Sequence, residues 1–116
     1  MREGQQRIPS GCAISGMFSR SGKRFNGERI IKSISVMHDR SNGLGGGFAA
    51  YGIYPEFKDY YAFHIFHDTE AAKANCEDFL IRHFDIVSQT EIPTRNVPGI
   101  TGGPLIWRYF ALPLQT

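Results

Sequence analysis

The sequence has little cysteine and no long apolar run. Its two cysteines, Cys12 and Cys76, are widely separated and do not form the disulfide framework of a small secreted domain. No apolar stretch approaches the ~20 residues that span a bilayer. Residues 1–11 lack the apolar core of a signal peptide. These absences predict a cytoplasmic protein with no membrane partner.

The sequence has little excess of charge of either sign. Thirteen Lys and Arg against eleven Asp and Glu leave a net charge of +2, without a basic run. That is too little charge to indicate a phosphate-binding surface. The four histidines show no spacing with cysteine or carboxylate that is typical of a metal site. We therefore expect neither nucleic acid nor metal as a ligand.

The first part of the chain predicts a strand, a helix and a glycine-rich loop. Residues 12–18 favour a buried strand, and Asn26 is a good N-cap for a helix over about residues 27–38. The helix carries an apolar stripe that we expect to pack in the core, formed by Ile30, Ile31, Ile34 and Met37. Residues 39–47 then form a loop in which glycine lets the backbone approach another group closely.

The second part predicts more strands around a second helix. Residues 48–54 and 60–66 are expected to pair as an antiparallel hairpin. Asp68 or Thr69 caps a helix that runs to about Phe84. Its expected packed face consists of Ala72, Cys76, Phe79, Leu80 and His83, which gives Cys76 a structural role.

The last segment predicts two strands joined by a loop. Residues 85–92 favour a strand, residues 93–104 a loop rich in proline and glycine, and residues 105–110 a final apolar strand. No element follows that would cover the final strand. Without a partner, such a strand would leave an exposed edge, and we therefore expect the sequence to be an N-terminal piece of something longer.

Two binding interpretations of the glycine loop fail in detail. Gly43 to Gly47 lacks the third glycine of a dinucleotide-binding turn, has no G-K-S/T, and precedes an expected strand rather than a helix. The run from Gly47 to Tyr51 partly matches a β-strand that stacks on RNA bases. However, Ala50 stands where that pattern has an aromatic residue, and no Lys or Arg precedes Gly47. An RNA-binding module stays open only as a third hypothesis.

Cys12 has the position that an N-terminal nucleophile requires. Cleavage after Gly11 would give one residue both a thiol and a free α-amine. The thiol can attack an acyl carbon, and the amine, directly or through a water, can act as the base. Their pKa values, about 8.5 and about 7.7–8.0 in model peptides, suit proton transfer near neutral pH. The position alone also fits a buried cysteine in a first strand.

Several motifs in order resemble the class II glutamine amidotransferases. Cys12-Ala13-Ile14-Ser15-Gly16 matches an opening that usually reads Cys-Gly-Ile-x-Gly. Residues 38–47, His-Asp-Arg-Ser-Asn-Gly-Leu-Gly-Gly-Gly, stand where the family has His-Arg-Gly-(Pro/Gln)-Asp-x-x-Gly. Residues 8–11, 37–54 and 105–110 resemble more narrowly the amidotransferase subunit of archaeal-type glutamate synthase.

The resemblance implies a fold and a reaction. The fold would be α+β, an N-terminal nucleophile hydrolase αββα sandwich, of which residues 12–116 are the N-terminal part after removal of leader residues 1–11. Cys12 would hydrolyse the side-chain amide of L-glutamine through a γ-glutamyl thioester. Arg40 and the glycines Gly45, Gly46 and Gly47 would support the site. Ammonia would pass to a glutamate synthase subunit or domain that carries flavin and iron–sulfur centres, so this chain would need no cofactor.

The chain departs from the family in three ways. Asp39 lies between the histidine and the arginine of the motif. Ala13 replaces the usual glycine beside the nucleophile. The Asn-Gly oxyanion hole and the later residues that bind the glutamine carboxylate and amine have no counterpart in these residues. Because one oxyanion-hole donor is worth about 10²–10³ in rate, we expect residues 1–116 alone to be inactive. The alternative hypothesis is a non-catalytic interaction or regulatory domain that keeps the fold.

Overall fold

The computed structural model describes residues 10–115. The chain divides into two compact units, Met1–Ala49 (the N-terminal unit) and Ala50–Thr116 (the C-terminal unit), which are described separately. Both helices and strands occur, so the coarse α+β expectation is confirmed. The predicted leader lies mostly outside the described residues. No helix among residues 10–115 is long and apolar enough to cross a membrane.

The N-terminal unit is built around one short helix, α1 (Glu28–Ser35). Asn26 Oδ1 accepts the Glu28 backbone N–H at 3.1 Å, and a Glu28–Lys32 ion pair of 2.7 Å spans the first turn. The predicted helix is therefore confirmed, although it ends three residues early. A 3-10 turn, His38–Arg40, follows it.

The predicted strand at residues 12–18 is wrong. In the described part of the N-terminal unit these residues have no neighbouring strand that could pair with their backbone. Ile14 and Phe18 are 88% and 84% exposed. A hydrogen bond of 2.5 Å between the Ser15 and Ser33 hydroxyls links the segment to α1 instead.

The expected core packing of α1 is also corrected, because the helix buries no residue. Ile31 and Ile34 are exposed, whereas Ile30 and Met37 are half-buried. Their apolar side chains line a cavity rather than a closed core.

The C-terminal unit is a three-stranded antiparallel sheet with one helix. Its strands are β1 (Tyr61–His67), β2 (Phe84–Glu91) and β3 (Leu105–Pro113), in the order β1-β3-β2. Helix α2 (Glu70–His83) connects β1 to β2. Since both outer strands run antiparallel to β3, they run parallel to each other. The strands expected at residues 85–92 and 105–110 are thus confirmed.

Two pairing predictions are wrong. Residues 48–54 form no strand: the chain bends there, Gly52 has φ +70°, and a 3-10 turn, Pro55–Phe57, follows. The expected hairpin is therefore absent, and β1 pairs with β3. The final strand is also not without a partner, because it is the centre of the sheet and pairs on both sides. Backbone pairing between distant segments, which local patterns do not report, decides both cases.

Helix α2 begins as predicted, because the Thr69 side chain accepts the Ala72 backbone N–H at 3.1 Å. Its packed face is only partly the expected one. Cys76 and Leu80 lie on that face, whereas three other predicted members are exposed, namely Ala72, Phe79 and His83. The face is completed by the ion pair of Lys73 and Glu77, whose nitrogen and oxygen lie 2.7 Å apart.

A buried hydrogen-bond network joins α2 to the sheet. The fully buried Tyr109 donates its hydroxyl proton to Glu77 Oε1 at 2.8 Å. Since that proton is used, the buried His67 donates Nε2–H to the Tyr109 oxygen at 3.0 Å. Lys73 Nζ lies 4.1 Å from the centre of the Trp107 ring. Every polar group of the network therefore has a partner, as burial requires.

The network shifts two pKa values. Burial, together with the hydrogen bond to Glu77 and the charge of Glu77, raises the pKa of the Tyr109 hydroxyl. Burial also raises the pKa of the Glu77 carboxyl, but hydrogen bonds from Lys73 and Tyr109 and the Lys73 charge outweigh it. The net pKa of Glu77 lies below its ordinary value of 4.5.

We predict that Glu77→Gln lowers the free energy of unfolding at neutral pH by about 1–2 kcal/mol, because the charge-assisted hydrogen bonds are lost. A depressed folded-state pKa stabilises the protein above the unfolded-state pKa, and that stability is lost as the pH falls through the folded-state value. As the pH falls below 4.5, the free energy of unfolding measured with urea should therefore decrease more steeply for the wild type than for the variant.

Asp78→Asn is the matched control, because Asp78 lies next to Glu77 on α2 and forms an exposed ion pair with Arg82. Such a pair is worth about 0.5 kcal/mol or less. Equal losses from the two substitutions, or parallel pH profiles for wild type and Glu77→Gln, would contradict the role assigned to Glu77.

Candidate active site

Cys12 is an exposed free thiol in the N-terminal unit. The residue before it packs tightly against the turn that follows α1. A Cβ on Gly11 would overlap the carbonyl oxygen of Arg40 and lie 3.3 Å from the backbone nitrogen of Asn42. Glycine is therefore required at position 11 for the chain to bring Cys12 next to this turn.

Arg40 is placed by the hydrogen bonds of the 3-10 turn. Its backbone N–H donates to the Met37 carbonyl at 3.0 Å, and the Ser41 N–H donates to the His38 carbonyl at 3.0 Å. A cavity of about 300 Å³ is lined by Arg40, Met37 and the segment from Cys12 to Ile14. The structure thus brings Cys12 and Arg40 to one cavity.

The glycine loop lines a second, larger cavity that also includes Cys12. This cavity has a volume of about 600 Å³, and its walls include Gly45, Gly46, Gly47 and the apolar side of α1. A Cβ on any of these three glycines would meet no described atom within 4 Å. Their backbone N–H groups donate to no other described residue. The loop therefore presents open space and free donors at the cavity wall.

Two polar side chains that the sequence analysis did not single out shape the start of this loop. Ser41 Oγ accepts the Gly43 N–H, and Asn42 Oδ1 accepts the Leu44 N–H, each at 3.1 Å. Gly43 has φ +75°, a conformation that favours glycine. The signal for these turns was available in the sequence, since Ser and Asn bond their own backbone two residues on.

No side-chain base among the described residues is paired with Cys12. Among residues 10–115, none forms a hydrogen bond with the Cys12 thiol. His38 lines the larger cavity. Its Nδ1 atom lies 3.6 Å from Asp39 Oδ1, and both side chains are exposed to solvent. Cys76, the other thiol, is half-buried on the packed face of α2. A nucleophilic Cys12 would therefore need a base other than the described side chains.

The described residues form neither a metal site nor the strand that the RNA hypothesis requires. No three His, Cys, Asp or Glu side chains between residues 10 and 115 come together as metal ligands. The base-stacking strand of the RNA hypothesis does not form, because Phe48 and Tyr51 lie outside the strands of the described chain.

Comparison with known proteins gives one informative similarity. Over 104 residues, which make up 88% of this chain, the sequence is 50% identical to a protein of Archaeoglobus fulgidus described as an uncharacterized protein. The chain spans 28% of the length of that relative. No family model and no solved structure matches the chain.

We predict that Gly11→Ala displaces the segment before Cys12, because the added methyl group would overlap the Arg40 carbonyl oxygen. Backbone amide NMR should show changes at Cys12 and at residues 40–42, and the alkylation rate of Cys12 should change with them.

Gly16→Ala is the matched control, because a Cβ at Gly16 meets nothing within 4 Å. It should leave the residue 40–42 amides in place. Equal perturbation by the two substitutions, or none by Gly11→Ala, would show that Gly11 does not pack on this turn.

Proposed function

We propose that this chain is part of a class II glutamine amidotransferase with an N-terminal nucleophile hydrolase fold. In this proposal Cys12 is the nucleophile, exposed at the N-terminus by removal of residues 1–11. Residues 12–116 then form the N-terminal part of an αββα domain. Two observations support the proposal: the order of the sequence motifs, and the residues that line the cavities together with Cys12.

The observation that carries the proposal is the shared cavity of Cys12 and Arg40. The resemblance assigns both residues to the site, and both line one cavity although they lie far apart along the chain. The Gly45–Gly47 loop, which the resemblance also assigns to the site, lines the larger cavity with Cys12. All of these residues belong to the N-terminal unit, so the argument needs no particular arrangement of the two units.

The proposed reaction proceeds in two balanced steps. The Cys12 sulfur adds to the side-chain carboxamide carbon of glutamine while the α-amine of Cys12 takes the thiol proton. The carbon–nitrogen bond then breaks, the amine returns the proton to the leaving nitrogen, and ammonia leaves a γ-glutamyl thioester. Water adds to the thioester carbon, giving glutamate and the free thiol. The absence of a described side-chain base at Cys12 is consistent with a base on the same residue.

Arg40 and the glycine loop have supporting roles in this scheme. The positive charge of Arg40, a residue that lines the cavity with Cys12, attracts anionic substrate groups. The amides of Gly45, Gly46 and Gly47, which donate to no other described residue, offer donors to a substrate carbonyl. The ammonia would be used in the cytoplasm by a glutamate synthase-type partner, and flavin and iron–sulfur centres would belong to that partner.

A second candidate is a non-catalytic interaction or regulatory domain that retains this fold. Two observations favour it. Ala13 stands beside Cys12 where the family has glycine. Gly11, which acylates the Cys12 nitrogen in the chain described here, is packed against the Arg40 carbonyl. If that peptide bond is retained, the nitrogen cannot serve as a base.

The proposal is tested by labelling the full-length native protein with a glutamine analogue that carries a diazoketone. We expect the analogue to alkylate Cys12 and spare Cys76, with protection by L-glutamine. Cys12→Ser should abolish labelling, and Cys76→Ser is the matched control that should leave it unchanged. Labelling of both cysteines alike, of Cys76 alone, or of neither would exclude the amidotransferase and favour the non-catalytic domain.

A further inference from the structure

Arg108 lies among polar groups on the face of the sheet opposite α2. Its register partners are His64 on β1 and Thr90 on β2, so the three residues form a row across the sheet. The guanidinium donates to Tyr54 Oη at 3.1 Å and to Thr90 Oγ1 at 3.2 Å. Tyr54 Oη lies 3.0 Å from His64 Nε2. We call Arg108, Tyr54, His64 and Thr90 the Arg108 cluster.

The charge of Arg108 has no counter-ion in the described chain. Arg108 is half-buried, and the ion pairs formed among residues 10–115 do not include it. Its Nε atom is buried without a hydrogen-bond partner among these residues. A guanidinium has five N–H donors, and the two hydrogen bonds to Tyr54 and Thr90 leave three unused. Burial of a cation in this condition favours an anion as partner.

The neighbouring aromatic rings do not satisfy these donors. The guanidinium carbon lies 4.8 Å from the Tyr54 ring centre and 5.6 Å from that of Phe110. Both distances fit cation–π contacts, which stabilise the charge. Neither contact supplies an acceptor oxygen for the N–H groups that Tyr54 and Thr90 leave unused.

We propose that the Arg108 cluster binds a small molecule through a carboxylate group. A single guanidinium matches the charge and planar fork of one carboxylate, whereas a phosphate dianion calls for further cations. His64 and Thr90 are exposed, so solvent reaches the edge of the cluster. Tyr54 Oη, which accepts from Arg108, also contacts His64 Nε2, so these three side chains hold one another in place.

This site is separate from the proposed amidotransferase chemistry. The Arg108 cluster belongs wholly to the C-terminal unit, whereas Cys12, Arg40 and the glycine loop belong to the N-terminal unit. Binding at the cluster requires neither a free Cys12 amine nor any step of the proposed reaction.

The test is an NMR titration of the 116-residue chain with sodium acetate, with sodium chloride at equal ionic strength as the control. We expect acetate to produce a saturable shift of the Arg108 Nε–H signal and of the His64 and Thr90 amides, with a millimolar Kd. Arg108→Lys keeps the charge but loses the fork, and should weaken binding about tenfold or more. Arg82→Lys, on the exposed side of α2, should bind acetate as the wild type does.

Three results would overturn the proposal. The first is a wild-type titration in which chloride reproduces the acetate shifts or no signal of the cluster saturates. The second is tighter binding of sulfate than of acetate, which would indicate a general anion patch. The third is an unchanged Kd in a folded Arg108→Lys variant. If that variant does not fold, the Arg108 Nε–H signal of the wild type decides alone.

Discussion

Strand β3 is hydrogen-bonded along both edges, and the layers of the C-terminal unit depend on that pairing. Successive side chains of a strand point to opposite faces of the sheet, so neighbouring residues on β3 contact the layers on its two sides. Tyr109 holds α2 through Glu77, while Phe110 stacks on Phe57 with ring centres 3.9 Å apart. Arg108 reaches the same face as Phe110, where the flanking strands supply its partners. One central strand thus positions both a buried network and a half-buried cation.

The N-terminal unit is organised differently, because none of its described side chains is fully buried. A hydroxyl contact between Ser15 and Ser33 and the close approach of Gly11 to Arg40 hold the Cys12 segment. The apolar side of α1 faces a cavity. In the proposed αββα sandwich, of which residues 12–116 are the N-terminal part, a further layer would cover such a face. The chemistry around Cys12 therefore lies in the part of the chain with the least core of its own.

Local signals in the sequence predicted the elements whose formation is local. The cap at Thr69 predicted the start of α2, and apolar runs predicted β2 and β3. The strand at residues 12–18 and the hairpin at residues 48–66 were wrong because pairing is decided by distant segments. Motif order nominated Cys12 and Arg40, whose common cavity depends on the Gly11 contact. No local pattern reports the network of Tyr109, because its members come from three separate elements, β1, α2 and β3.

The central claim is that Cys12 acts as an N-terminal nucleophile, and the N-terminus of the native protein tests it most directly. Intact-mass and N-terminal peptide analysis of the protein from its natural source gives the answer without any assumption about substrate. The account predicts a mature polypeptide that begins with Cys12 and carries a free α-amine. A mature protein in which Gly11 remains bonded to the Cys12 nitrogen would contradict it.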